Sequence, residues 1–310
     1  MNWFQAIIFG IVQGLTEFLP VSSTAHVRIT AGLMYGSSPD WLTAFSAIIQ
    51  LGTMLAVLIY FLRDIWRILK AWFLSIIGKV PHSDPDARMG WFVIVGTIPV
   101  AVLGLALQKY IDNVFGNLWV TVAMLIIVGV VLWVADVHTA RLQRQVAPQP
   151  DRARRGATED GQPLPENGQM RTLDKMSWSH ALIIGVAQAA ALIPGVSRSG
   201  ATTSAGLFLG YDRPAAARYS FLLSVPAVWA SGLYELYKVY KENIIGTQSL
   251  PWGPTILAIV ISFAVGFAVI AWLLRFISNH TFRPFVVYRI VLALAVAGLL
   301  IGGVLSAGGA

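Results

Sequence analysis

There is no cysteine in the 310-residue chain. Disulfides, thiolate metal sites and cysteine nucleophiles are therefore excluded, and nothing is learned about redox compartment. Charge is also scarce. Asp, Glu, Lys and Arg make up 12% of the residues, against roughly 25% in a soluble domain, which excludes an ordinary water-soluble enzyme. Disorder is excluded by a hydrophobic content of 56%, because disordered chains are poor in apolar residues. There is no G-x-x-x-x-G-K-[ST] P-loop and no H-E-x-x-H helix. The run Gly195-Val196-Ser197-Arg198-Ser199 fails G-x-S-x-G at its last position, which weakens a serine-hydrolase reading. A basic leader is missing too: the apolar stretch after Phe4 soon meets Gln13 and Glu17, so no cleaved signal peptide is expected.

What the chain does have is long apolar runs, with a mean hydropathy of +0.67. A membrane span needs about 20 apolar residues, and six segments qualify: 41–62, 91–107, 118–135, 215–237, 252–274 and 284–305. They are continuously apolar rather than alternating, which argues against a β-barrel. The expectation is an all-α polytopic membrane protein. Its net charge of +7 sits mostly in loops, where it reads as a topology signal and as contacts to anionic membrane lipid, not as a nucleic-acid surface. After the first span, Trp66, Leu69, Trp72 and Phe73 face Arg63, Asp64, Arg67 and Lys70 in an amphipathic pattern that fits an interfacial helix. From Asp136 to Ser177 the composition turns to Arg141, Arg144, Arg152, Arg154, Arg155, Arg171 and Lys175 among four prolines, as expected of a solvated linker.

Two other apolar stretches, 4–33 and 181–209, are interrupted by Pro, Gly, Ser and an ionisable residue. Non-helical backbone at membrane depth is tolerated only where protein buries it or where it lines a cavity, so both are expected to be re-entrant helix pairs. They also match each other. Gly10 and Gln13 correspond to Gly185 and Gln188 at an offset of 175, while Pro20, Ser23 and Ser46 correspond to Pro194, Ser197 and Ser220 at an offset of 174. Three spans follow each. The basic residues of 63–90, of the linker and of 275–283 place those loops inside by the positive-inside rule, and 108–117 and 238–252 then fall outside. The two halves thus insert with opposite orientation. The expected organisation is an inverted-topology repeat with six transmembrane helices plus two re-entrant helix pairs: residues 1–135 form the first repeat, 136–178 a cytoplasmic linker and 179–310 the second repeat. In such architectures the ligand site lies near the midplane, where broken helices meet.

Glu17 is the one carboxylate deep inside an apolar stretch, and an intramembrane charge costs about 2.5–3.5 kcal/mol on insertion scales. Gln13 precedes it by one helical turn, so both oxygens can face one point and hold a hard cation such as Mg²⁺ together with phosphate oxygens. Ser22, Ser23, Thr24 and His26 follow within a few residues and supply a nucleophile, a base or ligands. Taken singly, each hydroxyl is as well explained by helix capping. In the second half, Gly195 and Gly200 permit tight turns, Ser197, Ser199 and Thr202 add donors, and Arg198 is suited to bidentate phosphate contact. Neutralising Glu17 would account for Arg198 alone, but not for the hydroxyls and glycines around it. The set fits a phosphate cradle.

These segments carry a resemblance. Gln13-Gly14-Leu15-Thr16-Glu17-Phe18-Leu19-Pro20-Val21-Ser22-Ser23-Thr24-Ala25-His26 and Pro194-Gly195-Val196-Ser197-Arg198-Ser199-Gly200-Ala201-Thr202 resemble the two signature motifs of the bacterial undecaprenyl-diphosphate phosphatase family, the bacitracin-resistance type. Ile49-Gln50-Leu51-Gly52, the segment from Tyr219 to Pro226 and the segment from Pro284 to Arg289 are similar to family segments as well. The resemblance implies a multi-pass enzyme of the bacterial cytoplasmic membrane that converts undecaprenyl diphosphate to undecaprenyl phosphate and inorganic phosphate. It thereby recycles the lipid carrier for peptidoglycan synthesis. It implies a site open to the extracytoplasmic side and dependence on a divalent cation, Mg²⁺ or Ca²⁺, with Gln13 and Glu17 as metal residues. Glu17, Ser23, His26 and Arg198 would be catalytic, and Ser22, Thr24, Gly195, Ser197, Ser199, Gly200 and Thr202 would bind substrate. A homodimer is compatible with this picture. Two positions depart from the commonest pattern: Gln13 stands where Glu is frequent, and Ala25 where Gly is usual.

The residues alone leave the nucleophile open among Ser23, His26 and an activated water, with Ser23 assisted by His26 preferred. A lipid-carrier flippase or ion-coupled transporter would share the inverted repeat, but it would need ionisable residues along a route to both faces. An intramembrane protease would need a Ser–His pair or two deep aspartates, and paired deep aspartates are missing.

Overall fold

The computed structural model describes residues 1–36, 39–114, 117–146, 170–245 and 250–308. Among them are eleven α-helices and no strand beyond a single bridge between Arg171 and Tyr211. The expected breaks are where the sequence puts them. Helix α1 (Trp3–Thr16) starts from Asn2, whose side chain and that of Gln5 cap each other's backbone N–H groups. It stops at Glu17, ahead of Pro20. Helix α2 (Ser23–Tyr35) begins from Ser22 and ends at Gly36 in a left-handed turn. Helices α3 (Leu42–Tyr60), α4 (Leu62–Ile76), α5 (Pro85–Val114) and α6 (Leu118–Val146) complete the first half. In the second half, α7 (Trp178–Ala189) and a 3-10 turn (Ala190–Leu192) lead to the Pro194 loop. Helix α8 (Arg198–Phe208) follows, then α9 (Arg213–Ile245), α10 (Trp252–Asn279) and α11 (Arg283–Ile301).

Among the described residues five helices are long and apolar enough to cross a membrane: α3, the first part of α5, α6, α10 and α11. The sixth expected span, 215–237, lies within α9, which is not one of the five. Its apolar character is diluted by Ser220, Ser224, Pro226 and Glu235, and its first turns, from Ala215 to Ser224, are buried almost throughout by the rest of the protein. Two boundaries also shift. Helix α6 runs past Asp136 to Val146, so the start of the expected linker is helical. Residues 147–169 of that linker lie outside the described residues, but its end is pinned: Arg171 N–H donates to Gly210 O at 3.1 Å and Asp212 N–H to Arg171 O at 3.1 Å, while Met176 is buried.

The amphipathic stretch is helix α4. It leaves Trp66, Leu69 and Phe73 exposed and is tied down by Arg67–Asp86 at 2.8 Å and Asp64–Arg218 at 2.5 Å. Helices α5, α6, α10 and α11 expose Val102, Trp133, Val260 and Leu294, an outward apolar face that suits lipid and not water.

Packing is reciprocal between the halves. Helix α1 lies along α10, and α7 lies along α5; α3 meets α9, and α6 meets α11. Small residues set the close approaches. A Cβ on Gly14 would stand 2.9 Å from Ser262 O of α10, and Gly185 of α7 rests on the backbone of Gly96 in α5. Small residues at helix contacts allow this proximity in apolar surroundings, where dispersion contacts replace the hydrophobic drive. At one end of the bundle Arg213 Nε donates to Asp136 Oδ1 at 2.6 Å, and Phe282 N–H donates to Asp136 Oδ2 at 3.0 Å, joining α6, α9 and the α10–α11 corner.

Candidate active site

The two breaks face each other. Ser22 and Ser197 each begin a helix, α2 and α8, and each side-chain oxygen accepts from a backbone N–H three residues on: Ala25 at 3.4 Å and Gly200 at 3.2 Å. Both have positive φ, 73° and 69°. By this shared geometry Ser22 corresponds to Ser197, so the offset at the caps is 175 and Ser23 corresponds to Arg198, not to Ser197 as the proline match implied. The first helical residues of the two halves are thus a hydroxyl and a guanidinium.

Both of them bind Glu17. Ser23 Oγ donates to Glu17 Oε2 at 2.7 Å, Gln13 Nε2 donates to the same oxygen at 2.6 Å, and Arg198 Nη2 pairs with Oε1 at 2.6 Å. The carboxylate is buried, and these three charge-assisted bonds offset its desolvation. Arg198 keeps a donor unused: its buried Nη1 has no hydrogen-bond partner among the described residues. Two helix N-termini, each with partial positive charge, end beside this cluster and favour an anion.

His26 is held differently. Its Nδ1 lies 2.7 Å from Ser22 O and its Nε2 lies 2.7 Å from the Tyr288 hydroxyl, with the two rings stacked. A carbonyl only accepts, so Nδ1 carries the proton, and in the neutral ring Nε2 accepts from Tyr288. The assistance expected from His26 to Ser23 is therefore absent from this geometry: the acceptor of the Ser23 hydroxyl is Glu17.

A cavity of about 680 Å³ opens from this cluster. Glu17, Ser22, Ser23, Thr24, Ser197 and Arg198 form its polar end, with Gly195 beside them. Val100, Ala101, Ala227 and Val228 give α5 and α9 mainly apolar walls, interrupted by Thr97, Ser231, Tyr234 and Glu235. The remaining expected substrate residues lie off the cavity. Ser199 Oγ donates to Leu19 O at 3.0 Å, Gly200 N–H caps on Ser197, and Thr202 donates to Arg198 O at 2.8 Å and contacts the Ser220 hydroxyl. These residues hold the loop in shape.

One residue of the site was not singled out in the sequence. Arg289, named there only as the end of a family-like segment, is fully buried. Its guanidinium donates to Pro20 O (3.0 Å) in the first loop, to Gly195 O (2.8 Å) and Val196 O (3.3 Å) in the second, and to Leu125 O (3.0 Å) and Met124 O (3.1 Å) of α6. No carboxylate pairs with it among the described residues, so its positive charge is left to both loops. The signal was present in sequence: an ionisable residue inside the apolar run 284–305.

For a metal, the donors are few. Among the described residues no group of three His, Cys, Asp or Glu is arranged to hold one. Glu17 is already bonded on both oxygens, but Gln13 Oε1 is buried without a partner among the described residues. Gln13 is not among the residues that line the cavity, so a hard cation here would have to draw most of its ligands from phosphate oxygens and not from the protein.

Residues 6–295 match the family of the bacitracin resistance protein BacA. The chain belongs to this family. It is 52% identical over 309 residues to the undecaprenyl-diphosphatase of Micrococcus luteus, covering 99% of this chain and 100% of the relative. To undecaprenyl-diphosphatase 2 of Streptomyces coelicolor it is 50% identical over 99% of this chain and 97% of that one. Identity to the undecaprenyl-diphosphatase of Pseudarthrobacter chlorophenolicus is 49% over 99% and 100%. Relatives of this likeness span both breaks and all five candidate spans.

Proposed function

We propose that the protein is an integral membrane phosphatase that hydrolyses undecaprenyl diphosphate to undecaprenyl phosphate and inorganic phosphate, recycling the lipid carrier for peptidoglycan synthesis. Its relatives' names agree with this activity. The observation that carries it is the meeting of Arg198 and Ser23, from opposite halves of the chain, on the two oxygens of Glu17.

The prenyl chain lies along the apolar walls of α5 and α9, and the diphosphate enters the polar end. Ser23 Oγ attacks the terminal phosphorus, its proton passing to Glu17. The bond from that phosphorus to the bridging oxygen breaks, releasing undecaprenyl phosphate. Water then hydrolyses the seryl phosphate and frees inorganic phosphate. Phosphoryl transfer proceeds through a loose transition state and asks more for charge stabilisation than for a strong base. Arg198 Nη1 and the N-termini of α2 and α8 supply that stabilisation, fixed in place before the substrate arrives. A divalent cation, Mg²⁺ or Ca²⁺, held by Gln13 Oε1 and Glu17 with phosphate oxygens, would neutralise charge on the diphosphate. His26, locked by Ser22 O and Tyr288, positions the α2 cap, while Ser199, Gly200 and Thr202 position Arg198.

The same reading includes an inverted-topology repeat with α9 as the sixth span and α1–α2 and α7–α8 as re-entrant pairs. The reciprocal packing of α1 on α10 and α7 on α5, and the paired caps, support it. It places the protein in the bacterial cytoplasmic membrane with the cavity open to the extracytoplasmic side. In support, the cavity extends to Gly104 and Leu105 of α5 and to Tyr234 and Glu235 of α9, toward the two loops that the basic residues assign to the outside.

Purified protein supplied with a polyprenyl diphosphate should release inorganic phosphate, and Arg198→Ala should lose most of that release while still inserting. Full activity in that variant would remove the cradle; movement of substrate across the membrane without phosphate release would point to transport.

A further inference from the structure

Gln188 occupies in α7 the place that Gln13 occupies in α1, 175 residues earlier. Gln13 spends its amide N–H on Glu17, one turn ahead. The corresponding position in the second half is Leu192, so Gln188 has no acid to meet. Its side chain is only 1% exposed, and neither Nε2 nor Oε1 has a hydrogen-bond partner among the described residues. It lines the same cavity as Ser23 and Arg198.

A buried amide with both ends unmade is costly. A side chain of leucine shape would avoid that cost at this position. Arg198, on the lining of the same cavity, likewise has a buried Nη1 without a hydrogen-bond partner among the described residues. Two residues that line one cavity therefore each hold an unused donor, one neutral and one cationic, and the amide adds an acceptor. This combination suits a phosphoryl group, whose anionic oxygens accept and whose protonated oxygen donates.

We infer that Gln188 is a substrate-binding residue: its amide takes a phosphoryl oxygen of the diphosphate on the second-repeat side of the cavity, next to the oxygen held by Arg198 Nη1. Glu17 and Ser23 thus act from the first repeat, and Arg198 and Gln188 bind from the second. The inference deepens the proposed phosphatase activity and rests on it for its substrate.

The test compares wild type with Gln188→Leu and Gln188→Asn in three measurements. These are KM and kcat for phosphate release from a polyprenyl diphosphate, inhibition by inorganic phosphate, and thermal unfolding with and without inorganic phosphate. Gln188→Leu should raise KM and weaken phosphate inhibition by about 10- to 100-fold, the weight of a hydrogen bond to a charged group. Its unfolding temperature without phosphate should equal or exceed that of wild type, because the unpaired amide is gone, and the rise on adding phosphate should shrink. Gln188→Asn, too short to reach, should show the same kinetic defect, which guards against a defect peculiar to leucine. Unchanged KM and phosphate inhibition in an active Gln188→Leu protein would overturn the assignment. A large fall in unfolding temperature with KM unchanged would also overturn it, since the amide would then serve the fold. If wild type released no phosphate from the lipid, the phosphatase proposal would fail, and phosphate-dependent unfolding would still decide whether Gln188 binds the anion.

Discussion

Ser22 and Ser197 share a left-handed backbone conformation, φ 73° and 69°, each capping a helix in its own half of the chain. Among the described residues they are the only non-glycine positions with positive φ. Such conformations cost of order 1–3 kcal/mol and persist where surrounding structure enforces them. Here the enforcement is visible: each serine oxygen accepts from the third residue of the helix it starts, and Arg289 holds the carbonyl two residues before each cap, Pro20 and Gly195, and that of Val196. The strain aims Ser23 and Arg198, the next residue in each half, at the same carboxylate.

Glycine at either cap would relieve the strain while costing only a few tenths of a kcal/mol in capping, whereas alanine keeps the strain and loses about 0.5–2 kcal/mol. Ser22→Gly and Ser197→Gly should therefore unfold at or above the wild-type temperature and the alanine variants below it. The reverse order, measured in detergent, would show that the positive φ is not strained.

Arg289→Met leaves five carbonyl contacts without their donor and frees both loops. Losses of this kind belong to the large class of single-site effects, about 4 kcal/mol or more. Thermal unfolding should fall by several degrees and phosphate release should drop with it. Arg289→Lys, with a compact ammonium in place of the planar fork, should recover part of each. A wild-type unfolding temperature in Arg289→Met would count against the clamp.

Glu17→Gln removes the acceptor of the Ser23 proton and leaves Arg198 charged without its partner. Breaking a buried pair by one member costs about 3–5 kcal/mol, and loss of a positioned proton acceptor costs about 10²- to 10⁴-fold in rate. Both unfolding temperature and kcat should fall. Arg198→Lys should retain part of the ion pair yet lose the Nη1 donor, so its KM should rise more than its stability drops. Equal defects in both quantities would mean that Arg198 serves Glu17 alone.

Gly195→Ala tests the second loop. Gly195 has φ +94°, and an added Cβ would lie 2.6 Å from Thr121 O of α6. Strain and clash act together, so the loop must move and Arg289 must lose its Gly195 acceptor. Phosphate release should fall by at least 10-fold, with lower thermal stability; wild-type values of both would show that the loop is looser than its contacts imply.

Much of this was legible in the amino-acid order. Long apolar runs dictate helices in a bilayer because no other continuous structure satisfies the backbone there, and Pro20 and Pro194 mark the breaks because proline cannot continue a helix. The acidic, hydroxyl and guanidinium members of the site stood out as polar residues where polarity is expensive. Three-dimensional packing decided the rest. Only the fold shows that Glu17, not His26, accepts from Ser23, since hydrogen-bond partners depend on where a ring points and not on sequence spacing. Ser199 and Thr202 looked like ligands by composition, yet their hydroxyls are spent on the carbonyls of Leu19 and Arg198. Arg289 and Gln188 have the same chemistry in the sequence wherever they stand. Burial gave one of them five carbonyls to hold and left the other beside a cavity with its amide unused.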